Sequence, residues 1–218
     1  TEQDESEGLD RPHMRLADNQ VSLLLAVRQT AKKIVVLFHA GSAVEMPWLD
    51  KCDALLHAAL GGQAGASAML DALTGKVNPS GKLAETWPMR YEDTPSLHHF
   101  GGDGANVEYR EGIFIGYRYY QKTGVKVRFP FGFGLSYTSF AYEGIAADAS
   151  GVTFTIRNTG ECAGAEIAQL YVSKRSSVLP GPEQELKGFA KVHLQPGEER
   201  EVHIPMDDKA FRYWNVKT

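Results

Sequence analysis

The sequence predicts an α/β layer on a mostly parallel sheet, followed by an all-β antiparallel sandwich. Three observations lead there. Residues 34–38, IVVLF, are a continuous apolar run between helix-patterned segments, which suits a parallel strand buried on both faces. Val152, Phe154 and Ile156 alternate with Thr153, Thr155 and Arg157, the period of a strand with one buried face. Between these two styles lies FPFGFGLSY, which sets the boundary near residue 138 and the domains at 1–137 and 138–218.

The elements follow in order. Residues 1–17 are polar and turn-rich. DNQVSLLLAVRQTAKK has a helical pattern, with Asp18 as N-cap and Val21, Leu24, Leu25 and Arg28 on one face. The strand IVVLF runs into the small-residue turn HAGS. CDALLHAAL is either helix or strand by periodicity, and GGQAGASAMLDALTGK is a glycine-rich turn and a helix with Ala68, Leu70 and Leu73 on its buried face. VNPSGKLAETWP is a turn into a strand, and residues 91–112 are loop. Past the boundary, GVTFTIRNTG, IAQLYVSK and EREVHIPM are short strands separated by turns such as LQPGEE, the rhythm of a β-sandwich. The α/β layer starts on a loop where a strand is expected, and WNVKT stops a strand or two short of a complete sandwich, so both ends look cut.

With 218 residues and a formal net charge of -4, the chain has no basic footprint for nucleic acid or an anionic membrane. No apolar run approaches the roughly 20 residues of a membrane-spanning helix. The two cysteines are far apart, outside any metal-type spacing, and are expected as buried free thiols. The compartment stays unassigned, with a lean towards periplasmic or secreted, and association with a second copy of the chain is left open.

Several stretches carry candidate chemistry. GGQAG lacks both the G-x-G-x-x-G spacing and a following Lys-Ser/Thr pair, which favours a packing turn over a phosphate cradle. His98 and His99 are adjacent, so their rings diverge, and no metal site is expected from them. His39 ends the buried strand, where ligands gather in open α/β sheets. EYREGIFIGYRYY mixes Tyr109, Arg110 and further tyrosines with charge, as sugar recognition does; an inter-domain strand closing internal salt bridges explains the same run. DESEGLDR gathers Asp4, Glu5, Glu7 and Asp10 beside Arg11, and from pattern alone it is a solvated tail.

ESEGLDRPHMRLADNQ, FHAGSAVEMPWL, LGGQAGASAMLDALTGKVNPSGKLAETWP, VEYREGIFIGYRYY and FPFGFGLSYTSF together resemble the C-terminal part of glycoside hydrolase family 3 β-glucosidases, over almost the whole chain. The resemblance implies a partial three-layer α/β sandwich followed by a fibronectin type III-like domain. It also implies retaining hydrolysis of terminal β-D-glucosyl residues, with no cofactor and no metal. The family's acid/base glutamate precedes the glycine of an S-E-G element before Asp-Arg, which here is Glu7, with Glu5 as runner-up. Asp10 and Arg11 then support the loop, and Tyr109, Arg110, His98 and His99 are candidate substrate contacts. No S-D-W nucleophile element is present, so the resemblance places the nucleophile aspartate on a barrel domain in a separate chain or missing segment. This chain alone is expected to be inactive. β-Xyloside or arabinoside substrates, and a non-catalytic carbohydrate- or protein-binding scaffold, are the alternatives.

Overall fold

The computed structural model describes residues 6, 8–102, 104–175 and 179–214. They gather into two compact units. The first comprises Thr1–Lys76, Glu85–Gly112 and Gly124–Phe131, and the second Val77–Ala84, Ile113–Thr123 and Gly132–Thr218.

The first unit opens with helix α1, Asp18–Arg28. Ala17 occupies the N-cap and Asp18 falls one place inside, where its charge meets the positive end of the helix dipole. The helix stops at Arg28, short of the predicted residue 33, and buries none of its residues. The expected apolar face is therefore not a core face within this unit: Val21 and Leu24 are half-buried and Leu25 is exposed. Strand β1, Val35–Phe38, pairs in parallel with β2, Ala54–His57, in the register Val35↔Ala54 to Phe38↔His57. The parallel pairing matches the prediction, and CDALLHAAL resolves as strand. Burial on both faces does not hold, since Val35 and Leu37 are exposed while Phe38 is buried. Helix α2, Gly65–Leu73, buries Gly65 and Ala72, and the expected face of Ala68, Leu70 and Leu73 points outward. In both helices apolar periodicity marks a stripe, but what covers the stripe is a tertiary matter.

β3, Trp87–Pro88, pairs antiparallel with β4, Val127–Phe129, with Trp87 opposite Phe129. Trp87 and Met46, each 1% exposed, are at the heart of this unit. The Trp87 ring meets Phe38 at 5.9 Å, His57 at 5.1 Å and Phe129 at 6.1 Å between centroids, all edge-on. Such tilted contacts add to the large apolar area that each aromatic ring removes from water.

The second unit is the predicted β-sandwich. β5 (Phe140–Asp148), β6 (Gly151–Asn158) and β9 (Glu199–Pro205) form one antiparallel sheet in the order β5-β6-β9. β7 (Gly164–Val172) and β8 (Glu185–Leu194) form the other. Phe154 and Ile156 point inward against Ala168, Val192, Leu194, Val202 and Ile204, so the alternation seen in the sequence is the core face. Asn158 closes the same face of β6 as a fully buried polar residue.

Two earlier stretches of the chain pack with this sandwich. In 77–84, Lys82 Nζ donates to Gly134 O at 2.8 Å and pairs with Glu166 Oε2 at 3.0 Å. The backbones come so close there that a Cβ at Gly134 would sit 2.2 Å from Gly81 O, so only glycine fits. Helix α3, Tyr117–Thr123, supplies Tyr117, whose hydroxyl accepts from Leu186 N at 2.9 Å, and Arg118, which pairs with Glu185 at 3.2 Å. EYREGIFIGYRYY is thus turn and helix instead of the inter-domain strand considered above, though its salt-bridging role for Arg118 holds. Cys52 is half-buried and Cys162 exposed; both are free thiols, and the expected burial is not found. No helix among the described residues is long and apolar enough to cross a membrane.

Candidate active site

The glutamates singled out by sequence, Glu7 and its runner-up Glu5, lie outside the described residues. The chain beside them is described. Ser6 Oγ accepts from Gly8 N at 3.3 Å, and Asp10 is exposed. Arg11 turns inward, its Nη2 donating to the carbonyl of buried Ala43 at 3.0 Å. Three residues on, Met14 is buried and its carbonyl accepts from Glu45 N at 2.7 Å. Glu45 in turn accepts from Tyr91 N at 2.9 Å through Oε1. From Arg11 onward the chain is fastened to the turn that follows β1.

Glu85, in the segment leading into β3, has a perturbed carboxyl. Its Oε1 accepts from Trp87 Nε1 at 3.2 Å. Much of the Glu85 side chain is exposed, yet crowding around the carboxyl raises its pKa above the ordinary glutamate value. The Trp87 hydrogen bond and the positive charge of Arg11 offset part of that rise. Sequence reading passed over Glu85 and Glu45. The signal for Glu85 was available, since residues two apart on an extended strand share a face and ETWP sets Glu85 two before a large aromatic.

The remaining candidates keep to local partners in another loop. His99 is anchored by its backbone to Ser96 O, and the His98 and His99 rings stand 6.5 Å apart at 75°. Arg110 pairs with Glu108, and Tyr109 is 89% exposed, a ring face open to solvent. The loop is closed where Gly102, at φ +63, packs so tightly on Asn106 that a Cβ would lie 2.2 Å from its carbonyl oxygen. Among the described residues no group of three or more His, Cys, Asp or Glu side chains is arranged to hold a metal ion.

Residues 1–137 match the family model of the glycosyl hydrolase family 3 C-terminal domain, and residues 166–218 match the fibronectin type III-like domain. The chain belongs to glycosyl hydrolase family 3. Its fold is accordingly the partial α/β sandwich of that family followed by a fibronectin type III-like β domain. Among its relatives is the "Thermostable beta-glucosidase B" of Acetivibrio thermocellus, 49% identical over 98% of this chain and 29% of the relative. The "Exo-alpha-(1->6)-L-arabinopyranosidase" of Bifidobacterium breve is 40% identical over 98% of this chain and 29% of its own length. A family 3 beta-glucosidase crystal structure from Bifidobacterium adolescentis superposes with a TM-score of 0.93 at 44% identity, covering 97% of this chain and 32% of that one. A beta-glucosidase from Streptomyces venezuelae, solved with D-glucose, superposes at 0.90 with 38% identity over 97% of this chain and 28% of that one. The chain thus spans under a third of the length of these relatives, and it is a glycosidase-family module related to beta-glucosidases.

Proposed function

We propose that this chain is the acid/base-bearing part of a retaining β-glycosidase that removes terminal non-reducing β-D-glucosyl residues. The observation that carries the reading is the 49% identity to a beta-glucosidase over 98% of the chain, DESEGLDR falling inside the matched family domain. In this reading a barrel domain outside the chain supplies an aspartate nucleophile that attacks the anomeric carbon. Glu7 meanwhile protonates the leaving oxygen. The C–O bond to the leaving group breaks as the glycosyl–aspartate ester forms. Glu7, now a carboxylate, then takes a proton from water, and the resulting oxygen nucleophile displaces the aspartate to give the sugar with its anomeric configuration kept. Retaining geometry sets the two carboxyl groups about 5–5.5 Å apart.

Around this chemistry, Arg11 supports the loop through its bond to Ala43 O, with the Met14–Glu45 backbone bond three residues on, and Asp10 beside it serves the same support. Tyr109 offers its open ring face to the aglycone side, with Arg110, His98 and His99 as polar contacts. The arabinopyranosidase relative favours a pentopyranoside as the second candidate sugar. The test is Glu7→Ala in the full-length enzyme. Turnover on a β-glucoside falls by about 10²–10⁴-fold, the usual contribution of a positioned acid/base. Azide restores part of it when the leaving group departs unaided, whereas Glu5→Ala keeps near-parental activity. Unchanged turnover in Glu7→Ala refutes the assignment. Activity of this chain without the rest of the enzyme refutes the placement of the nucleophile.

A further inference from the structure

Residues after the predicted boundary near 138 do not build the β-sandwich alone. Residues 77–84, which lie between α2 and β3 in the chain, are held against it first through Asn78. Its Oδ1 accepts from Ser136 Oγ at 3.0 Å and from Tyr137 N at 2.8 Å, and its Nδ2 donates to Ala163 O at 3.0 Å. Gly164, the first residue of β7, leaves room for that amide, since a Cβ there would stand 2.7 Å from Asn78 Nδ2. Lys82 then pairs with Glu166, which also accepts from Tyr142 Oη at 3.5 Å on β5 of the opposite sheet. Helix α3 meets β8 as well. Tyr117 Oη accepts from Leu186 N at 2.9 Å, its ring stands edge-on to Tyr171 at 5.9 Å, and Arg118 and Lys122 pair with Glu185 and Glu183.

We propose that residues 77–84 and α3 are a docking surface that residues 136–218 require, so that the sandwich is not a detachable module. Two physical consequences of removing them point the same way. Glu166 shares the core-side face of β7 with Ala168, and without Lys82 its carboxylate is left beside Tyr142 with no cation. Among the described residues β8 pairs only with β7, and without Tyr117 the N–H of Leu186 returns to an open sheet edge. A sandwich of about 80 residues has little stability in reserve for either loss, because so small a unit buries a modest fraction of its surface.

The experiment nicks the chain instead of shortening it. A protease recognition sequence is inserted between Leu135, 76% exposed, and Ser136 of the 218-residue chain, and the chain is cut after folding. Asn78, Lys82 and α3 then meet their partners across two separate polypeptides. The cut chain elutes as one species in size exclusion at micromolar concentration. Dilution that separates the halves removes the strand signal of the 136–218 half in far-UV circular dichroism. Asn78→Ala, which deletes three bonds across the cut, weakens the association about thirtyfold, and Tyr117→Phe, which deletes one, about threefold. Ile145→Ser, on β5 of the other sheet and 68% exposed, leaves it unchanged. A 136–218 half that stays folded after release, with a cooperative melt of its own, overturns the proposal. So does an Asn78→Ala chain whose halves hold together as tightly as those of the parent.

Discussion

Asn158→Ala is the most severe single test of how the β-sandwich is held. Asn158 is 0% exposed, and its side chain uses its whole hydrogen-bonding capacity. Oδ1 accepts from Thr138 Oγ1 at 2.6 Å and from Gly160 N at 3.1 Å. Nδ2 donates to Cys162 O at 2.9 Å and Leu194 O at 3.1 Å. Alanine removes these four bonds at once, and two of them, to Thr138 and Leu194, are buried. With about 1–1.5 kcal/mol for each buried bond whose partner stays unsatisfied, and about 0.5 kcal/mol for each of the other two, the loss is about 3–4 kcal/mol. At a urea slope of about 1.5–2 kcal/mol per molar, the unfolding midpoint moves down by about 2 M. Thr138→Val, which removes one of the two buried bonds, moves it by about 0.7 M on the same scale. The assay is urea unfolding of the 218-residue chain followed by far-UV circular dichroism, with amide exchange of Ile156 and Leu194 as the local reporter. A midpoint shift below about 0.5 M for Asn158→Ala, on that same scale, would show that the network is not what closes this end of the sandwich.

Two further outcomes are expected. Glu166→Leu strands the Lys82 ammonium, 13% exposed, without its 3.0 Å partner, and costs about 3 kcal/mol; Lys82→Met/Glu166→Leu recovers most of that loss, and a double variant as unstable as the single one contradicts the account. Asp53 accepts from Ile34 N at 2.8 Å and from Arg28 Nη1 at 2.8 Å, and the backbone bond first, then the arginine, lowers its pKa. A carboxylate with a depressed folded pKa contributes stability above its unfolded value, about 3.9, and loses it as the pH falls through the folded value. The urea midpoints of wild type and Asp53→Asn therefore differ at pH 6 and converge below about pH 4; a gap that does not change with pH would refute the link.

What could be read in the sequence depended on how local its cause is. The alternation of Val152, Phe154 and Ile156 is the geometry of an extended chain with one wet face, so β6 and its core side were legible. The apolar run at β1 likewise announced a parallel strand, and β2 confirms the pairing. CDALLHAAL was ambiguous because a short apolar run fits either period, and its pairing with β1 made it a strand. Turn and helix in EYREGIFIGYRYY were decided by what α3 meets, namely Leu186 and Glu185 more than 60 residues later.

The candidate site divides along the same line. DESEGLDR could be singled out because it stands in a series of motifs whose order marks the family, and matching the family domain over residues 1–137 supports that recognition. Where the segment is fastened could not be read. The Arg11–Ala43 bond spans 32 positions, Glu45–Tyr91 spans 46 and Lys82–Glu166 spans 84. Periodicity and turn chemistry act over a few residues, and so the sequence by itself determined the strongly periodic elements, their faces where one face meets a sheet core, and the family. Which polar groups meet, and which apolar stripes of α1, β1 and α2 stay uncovered, is set by packing between segments far apart in the chain. Only the tertiary structure carries that information, because burial and charge pairing are properties of a neighbourhood in space and a residue has no such neighbourhood until the chain has folded.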